Sequence, residues 1–370
     1  MDPATPFSMD RRFFLSGSLA ALALPAAGWA AAATMPLEEL TLADIAAAFA
    51  DGRLTSQRLT KRYLDRIAAM NHTGPALAAV IETNPKALAI AADLDRERTA
   101  KGSRGPLHGV PVLIKDNVET ADPMMTTAGS LGLEGWYAPQ DAPLVAKLRA
   151  AGAVILGKSN LSEWANFRST HAASGWSARG GQARNPYALN RSPSGSSSGS
   201  AIAVSANLCA LAVGSETDGS IVSPASVNGI VGLKPTVGLV SRSGIVPLSH
   251  SQDTAGPLTR TVRDAAVMLG IMAGLDASDA ASVAVGDKFQ HDYVQYLDPQ
   301  GLKGARLGIA RKFFADNAPL NAFLDECIAK LKAAGAVIVD PADLPQHGTT
   351  STAETEVLLY EFKEIGRAHV

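Results

Sequence analysis

The chain of 370 residues is 46% hydrophobic and 18% charged, enough apolar material to fill the core of one large domain or two ordinary ones. Its formal net charge is −2 and it carries no basic block or aromatic-laced basic stripe, which excludes the electrostatic footprint of a nucleic-acid or anionic-membrane binder and leaves small molecules or peptides as partners. Cys209 and Cys327 sit in apolar runs, so a disulfide framework and a thiolate metal site are excluded too, and both read as small core residues.

Arg11-Arg12-Phe13-Phe14-Leu15 precedes a charge-free Ala/Leu/Gly run that ends in Ala30-Ala31-Ala32-Ala33, the pattern of a twin-arginine export signal with small residues at its cleavage region. The run is long enough to anchor in a membrane, but Ser16, Gly17, Ser18 and Pro25 interrupt it, so residues 1–33 are read as a cleaved signal. The expectation is a periplasmic or secreted protein with no stable membrane association. From Leu37 the pattern is helical: Thr41 caps a helix that closes at Asp51-Gly52, Ser56 opens a second, and PKALAIAADLDRERTA gives a third after Asn84. Leu77–Glu82, LAAVIE, reads as a strand.

Beyond it, short apolar runs alternate with helical patterns. The runs start at Gly109 (GVPVLI), Gly152 (GAVILG), Leu208 (LCALAVG), Ile230 (IVGL), Ala305 (ARLGIA) and Gly335 (GAVIVD); the helices include APLVAKLRAA, TVRDAAVMLGIMAG and NAFLDECIAKLKAA. Runs that are apolar throughout suit strands covered on both faces. The predicted fold is α/β, a single large domain over residues 34–364 with a central mixed β-sheet covered by helices on both faces. ETEVLLYEFKE starts a late helix that Ile365–Val370, IGRAHV, interrupts, so this tail reads as non-native and the domain as incomplete at its C-terminus.

Three motifs compete for the chemistry. Gly152–Ser159, GAVILGKS, fits the phosphate-loop pattern, but its four middle residues would form a buried strand and not an open cradle of amides. Gly195-Ser196-Ser197-Ser198-Gly199 fits the nucleophile elbow of a Ser-His-Asp α/β-hydrolase using Ser197. That device needs a strand leading in, and here the lead is the proline-punctuated loop NPYALNRSP; His250, His291 and His347 lie in segments without other functional signals. The tract Ser194–Ser200 also has the composition of a flexible linker. It runs directly into the apolar helix SAIAVSANL, a strand, and a second small-residue turn, Glu216-Thr217-Asp218-Gly219-Ser220, and a tether wired so tightly into buried structure would leave its backbone groups without partners.

The third reading joins these distant pieces. SPSGSSSGSA, with Ser220 of SETDGSIVSPAS 24 positions after Ser196, is similar to the signature region of the amidase signature family. GVPVLIKDN resembles its lysine strand, and GKSNLSEWA and GIVGLKPTVGLVSRSGIVPLSHSQDTAGPLTRTVRDAA resemble its flanking blocks; the likeness runs from about Thr41 to Lys363 and is strongest to the peptide amidases. The resemblance implies hydrolysis of carboxylic amides, C-terminal peptide amides above all, with release of ammonia and no metal or organic cofactor, by a chain acting as a monomer. It makes Ser220 the nucleophile, Ser196 the bridging serine on a cis peptide bond after Gly195, and Lys115 the base. Thr217, Asp218 and Gly219 would bind substrate and oxyanion, supported by Gly195, Ser197, Asp116 and Asn117. Asp218 stands where glycine is usual and Val222 where arginine is usual. Both departures, and the export signal, count against the runner-up, an amidotransferase A-type subunit working on tRNA within a complex.

Each implied role carries a physical requirement. A lysine accepts a proton only when neutral, and because free lysine stays protonated to about pH 10.4, a base working near pH 7 needs about 4 to 5 kcal/mol of desolvation. Lys115 ends an apolar strand, which suits this; its competing role is an ion pair with Asp116 or another carboxylate. The turn before Ser220 is expected to open a helix whose converging N–H groups hold an oxyanion, the plain alternative being that Ser220 is only a helix cap. Met124–Ser130 is expected in the pocket wall.

Overall fold

The computed structural model describes residues 35–345 and 348–368. The twin-arginine region, His347 and the last two residues of the tail lie outside the described residues. The unit that begins at Leu37 carries every element below.

Thr41 and Asp44 bond reciprocally across the first turn of α1 (Leu42–Ala50), and Thr55, one residue ahead of the expected Ser56, accepts from the Arg58 N–H to cap α2 (Ser56–Met70). The LAAVIE strand starts later than its apolar run, because Ala76 and Ala78 are left-handed at φ 49° and the Asn71 side chain takes the N–H groups of Ala79 and Val80. Regular pairing begins at β1 (Val80–Thr83), before α3 (Ala87–Lys101). Then follow β2 (Pro111–Lys115), α4 (Pro143–Ala150), β3 (Val154–Ser159), a hairpin of β4 (Trp176–Ser177) and β5 (Gly181–Gln182), α5 (Ser198–Ser205), β6 (Leu211–Glu216) and α6 (Val222–Val227). The remainder is β7 (Val231–Gly232), β8 (Thr254–Thr259), α7 (Val262–Met272), α8 (Ala280–Val285), β9 (Arg306–Gly308), α9 (Ala318–Ala333), β10 (Val337–Val339) and α10 (Ser351–Ala368).

The main sheet has the order β1-β3-β2-β6-β8-β7. Its middle strands β3, β2 and β6 are parallel, while β1, β8 and β7 run antiparallel to their neighbours, so the sheet is mixed and flanked by helices as expected. Every residue of β2, β3, β6 and β8 is buried, which accounts for sequence runs without alternation. GAVILGKS is therefore strand and not phosphate loop. Strand β8, TAGPLT, has no counterpart among the apolar runs, because Gly256 and Pro257 break its pattern. Pro257 is tolerated where its outer neighbour β7 pairs over only two residues, and Gly256 is needed because a Cβ there would lie 2.1 Å from the Leu233 carbonyl.

Helix α5 is buried on all sides from Ser198 to Val204 and packs across the sheet. Full burial of Ile202 and Val204 stabilises by about 2 kcal/mol each. Gly199 lets the first turn of α5 press on backbone, since a Cβ would sit 2.2 Å from the Ala79 carbonyl and 2.5 Å from that of Asn160. ARLGIA and GAVIVD do form strands, but as a separate parallel pair, β9 with β10. Cys209 is buried just ahead of β6, where burial pushes its thiol up to about 12; Cys327 lies half-buried on α9, which has no buried residue, so it is not the core residue expected. Helix α10 does not stop at Glu364 but runs on to Ala368, one internal glycine costing about 1 kcal/mol. Among the described residues no helix is long and apolar enough to cross a membrane.

Candidate active site

Three buried parallel strands end in polar residues at one edge of the sheet: β2 in Lys115, β3 in Lys158-Ser159 and β6 in Ser215-Glu216. Buried polar groups at strand ends need partners: Lys115 and Ser215 meet each other, Lys158 meets the Val118 carbonyl and the Thr126 hydroxyl, and Ser159 meets Ser200. Lys115 is fully buried, and its Nζ lies 2.8 Å from Ser196 Oγ, 3.0 Å from Ser197 Oγ, 2.9 Å from Ser215 Oγ and 3.1 Å from the Ser215 carbonyl. No carboxylate pairs with it among the described residues. The Asp116 carboxylate turns instead to the Thr127 hydroxyl and the Gly129 N–H, which removes the expected alternative of an ion pair. Burial pulls Lys115 down from 10.5 to about 7, opposed by the more distant charges of Asp253 and Glu216.

A neutral amine has two N–H bonds and one lone pair, and its surroundings restrict which partner takes each. Ser197 Oγ donates to the Ser215 carbonyl at 3.0 Å, so toward Lys115 it accepts. The Ser215 carbonyl is an acceptor only, and Ser215 Oγ already receives Asn117 Nδ2 at 2.9 Å. Giving the N–H bonds of Lys115 to Ser197 Oγ and the Ser215 carbonyl leaves its lone pair facing two serine hydroxyls, those of Ser196 and Ser215.

The serine tract is anchored along its length. The Gly195–Ser196 peptide bond is cis, the Ser196 carbonyl accepts from the Ser162 N–H at 3.0 Å, and the Ser197 N–H donates to the Ser220 carbonyl at 3.1 Å. It is neither a tether nor an elbow: Ser197 is buried at the N-terminus of α5, and among the described residues no histidine lines the adjoining cleft.

The turn that carries Ser220 is organised by Glu216. Its carboxylate accepts from the N–H groups of Gly219 at 3.0 Å, Ile221 at 2.7 Å and Val222 at 3.0 Å. As a result α6 begins at Val222, Ser220 is not its cap, and the Gly219 N–H named for the oxyanion is already engaged. The N–H groups of Asp218 and Ser220 make no bond within the chain among the described residues. The Thr217 hydroxyl donates to Asp253, whose other oxygen accepts from the N–H groups of Leu248 and Ser249 at 2.8 and 2.9 Å. Burial raises the Asp253 carboxyl above its usual range.

Gly195, Ser196, Thr217, Asp218 and Ser220 line a cleft of about 160 Å³, completed by Ala165, Asn166, Phe167, Leu248 and Leu358. Lys115 and Ser197 lie beneath it against Ser196, and Asn117 one bond further in. Met124–Ser130 does not line the cleft, because Asp116 ties Thr127 and Gly129 inward while Lys158 holds the Thr126 hydroxyl at 2.8 Å. Its place in the wall is taken by Ala165–Phe167, where Trp164, Ala165 and Asn166 are consecutively left-handed. Phe362 of α10 packs edge-on against Trp164 and Phe167, with ring centroids 6.4 and 5.7 Å apart, and Gln252 bonds Glu354 at 2.9 Å, which places Leu358 at the cleft. Ser215 and Glu216 were given no role from the sequence, where the available signal is two polar residues ending an otherwise apolar run. Among the described residues no group of three or more His, Cys, Asp or Glu side chains is placed to hold a metal ion.

The family model described as Amidase matches residues 58–367. The crystal structure of native peptide amidase from Stenotrophomonas maltophilia is 55% identical with a TM-score of 0.85, the match covering 89% of this chain and 67% of that one. A probable amidase of Arabidopsis thaliana is 49% identical over 337 residues, 89% of this chain and 64% of that protein. An A-type glutamyl-tRNA(Gln) amidotransferase subunit of Halorhodospira halophila is 38% identical over 341 residues, 90% of this chain and 68% of that one. The chain spans about half to two thirds of the length of the curated amidases it matches. With the family match extending over most of the sequence and the lysine, serine-tract and Ser220 segments meeting at one cleft, this chain belongs to the amidase family.

Proposed function

We propose that the chain hydrolyses carboxylic amides, the C-terminal amide of peptides in particular, with Ser220 as nucleophile, Ser196 as proton relay and Lys115 as base. The observation that carries this reading is a buried lysine without a counter-ion, its Nζ 2.8 Å from a serine hydroxyl that shares a cleft with Ser220. Ser220 Oγ attacks the amide carbonyl while its proton passes to Ser196 Oγ and that of Ser196 passes to Lys115 Nζ. The N–H groups of Asp218 and Ser220 face the developing oxyanion, a contribution of about 2.7 to 4 kcal/mol per donor. The proton returns through Ser196 to the leaving nitrogen, ammonia departs, and the ester on Ser220 is cleaved by water, whose proton passes to the same relay and from it to the departing Ser220 Oγ, which restores the starting state. Thr217 and Gly195 border the substrate, and Ser197, Ser215, Asp116 and Asn117 keep the lysine and its neighbours in register.

The peptide C-terminal amide is favoured by the 55% identity to a peptide amidase. Similarity to A-type amidotransferase subunits supports the second reading, in which the chain supplies an amine within a complex. Purified chain incubated with an amidated dipeptide decides between them: ammonia appears without any partner, and Ser220→Ala abolishes it. Absence of ammonia from every amidated peptide tested sinks the hydrolase. Export through the twin-arginine route is part of the proposal and rests on Arg11-Arg12 and the apolar run behind them; replacing both arginines by lysine is expected to leave the protein in the cytoplasm.

A further inference from the structure

Of the ten residues that line the cleft, Asp218 is the sole one with an ionisable side chain. It stands two positions before Ser220, it is exposed, and among the described residues its carboxylate has neither a hydrogen bond nor an ion pair. The remaining walls are Asn166, small residues and the apolar side chains of Phe167, Leu248 and Leu358, so nothing on them offers a cation. Two further carboxylates, Glu354 on α10 and Glu216 below the turn, add to the field: desolvation first, and then these two like charges, raise Asp218 above the usual carboxylate range. Lys115, buried against Ser196, is held largely neutral above pH 7 by burial and contributes little opposing charge there.

A substrate that fills this cleft strips water from an unpaired carboxylate. That is costly unless the substrate brings a positive charge or a strong donor to it, and costlier still if it brings an anion. From this arrangement we infer that Asp218 is a specificity-determining residue, one that selects amides whose terminal residue is cationic and rejects those whose terminal residue is anionic. The inference rests on the hydrolase reading and names the substrate class of that same site. The same charge opposes retention of product, since hydrolysis replaces a neutral amide with a carboxylate in the cleft.

The test uses three N-acetylated dipeptide amides that differ only in the last residue, lysine, norleucine or glutamate, with ammonia release measured at about pH 8.5 so that Lys115 is neutral. The expected order of kcat/KM is lysine, norleucine, glutamate. In Asp218→Asn the lysine-to-glutamate ratio falls about tenfold, and in Asp218→Lys it inverts. The wild-type chain gives an independent reading, since raising sodium chloride from about 0.05 M to about 0.5 M compresses the ratio roughly threefold by screening. A ratio near one in the wild type, or one indifferent both to salt and to Asp218→Asn, overturns the inference while leaving the hydrolase intact. Failure of the wild type to release ammonia even from the norleucine amide overturns the hydrolase reading itself.

Discussion

Replacing Lys115 by methionine tests the central physical claim, that the site keeps an amine neutral by burial. In the folded chain Lys115 releases its proton at about 7, against an ordinary value of 10.5. Between those values the unfolded chain holds one more proton than the folded chain, so the stability contributed by this residue rises with pH across the window and is at its lowest below it. At pH 7 the lysine costs the fold about 4 kcal/mol, and near pH 9.5 a little over 1 kcal/mol, because each pKa unit is worth about 1.36 kcal/mol. Methionine has nearly the same length and no charge. It forfeits the bonds to Ser196, Ser197 and Ser215, a loss that does not depend on pH in this range. Lys158, drawn down to about 8 by burial, titrates in both chains and cancels. Urea unfolding of the two chains side by side should therefore show the Lys115→Met stability, relative to wild type, declining by about 3 kcal/mol from pH 7 to 9.5. In parallel, wild-type kcat/KM rises through an apparent pKa near 7 and levels off, while Lys115→Met is inactive throughout. A stability difference that stays flat with pH refutes the argument, as does a kinetic limb near 10.

Ser215→Ala removes the oxygen that contacts both Lys115 Nζ and Asn117 Nδ2, so kcat should fall about tenfold or more with KM little changed and the alkaline-going limb moved to lower pH; a wild-type pH profile in this variant would show that Ser215 does not tune Lys115. Glu216→Gln keeps an acceptor for one part of the turn, sets an amide donor against the remaining backbone N–H, and deletes a charge that supports protonated Lys115, so kcat should drop roughly 100-fold and the same limb should again shift down; unchanged kinetics would show that the turn does not need the carboxylate.

What could be read in advance follows how locally each feature is encoded. GVPVLI, GAVILG and LCALAVG announce buried strands because a strand covered on both faces excludes polar alternation, and the cap at Thr41 lies within three residues of the group it satisfies, whereas the second cap falls at Thr55 and not at the expected Ser56. TAGPLT is equally buried yet silent, since Gly256 answers to the Leu233 carbonyl and Pro257 to a neighbour too short to need its N–H. The start of β1 was displaced by a clamp from Asn71, a contact across a turn. The site divides in the same way. Lys115 and Ser196 are 81 positions apart, and resemblance brought together what spacing alone could not. The walls at Ala165–Phe167 and Leu358 depend on ring contacts between segments nearly 200 positions apart, and the engagement of the Gly219 N–H depends on the reach of one side chain; neither leaves a local trace.

The position of the carboxylates decides what Lys115 can do. In direct contact, Asp116 would have kept the amine protonated and useless as a base at neutral pH. With no carboxylate within range, burial alone would have driven its pKa lower, giving an amine that is always neutral but too weak to draw a proton from serine. Asp116 is turned toward Thr127 and Gly129, while Glu216 and Asp253 stay beyond hydrogen-bonding distance and act only through the field, which leaves Lys115 at about 7. Each of those two carboxylates is held there by a second task, Glu216 by the backbone of the Ser220 turn and Asp253 by Thr217 and the 248–249 loop. The bonds that shape the cleft are thus the bonds that set the base strength of the lysine, and a change to either carboxylate moves both at once.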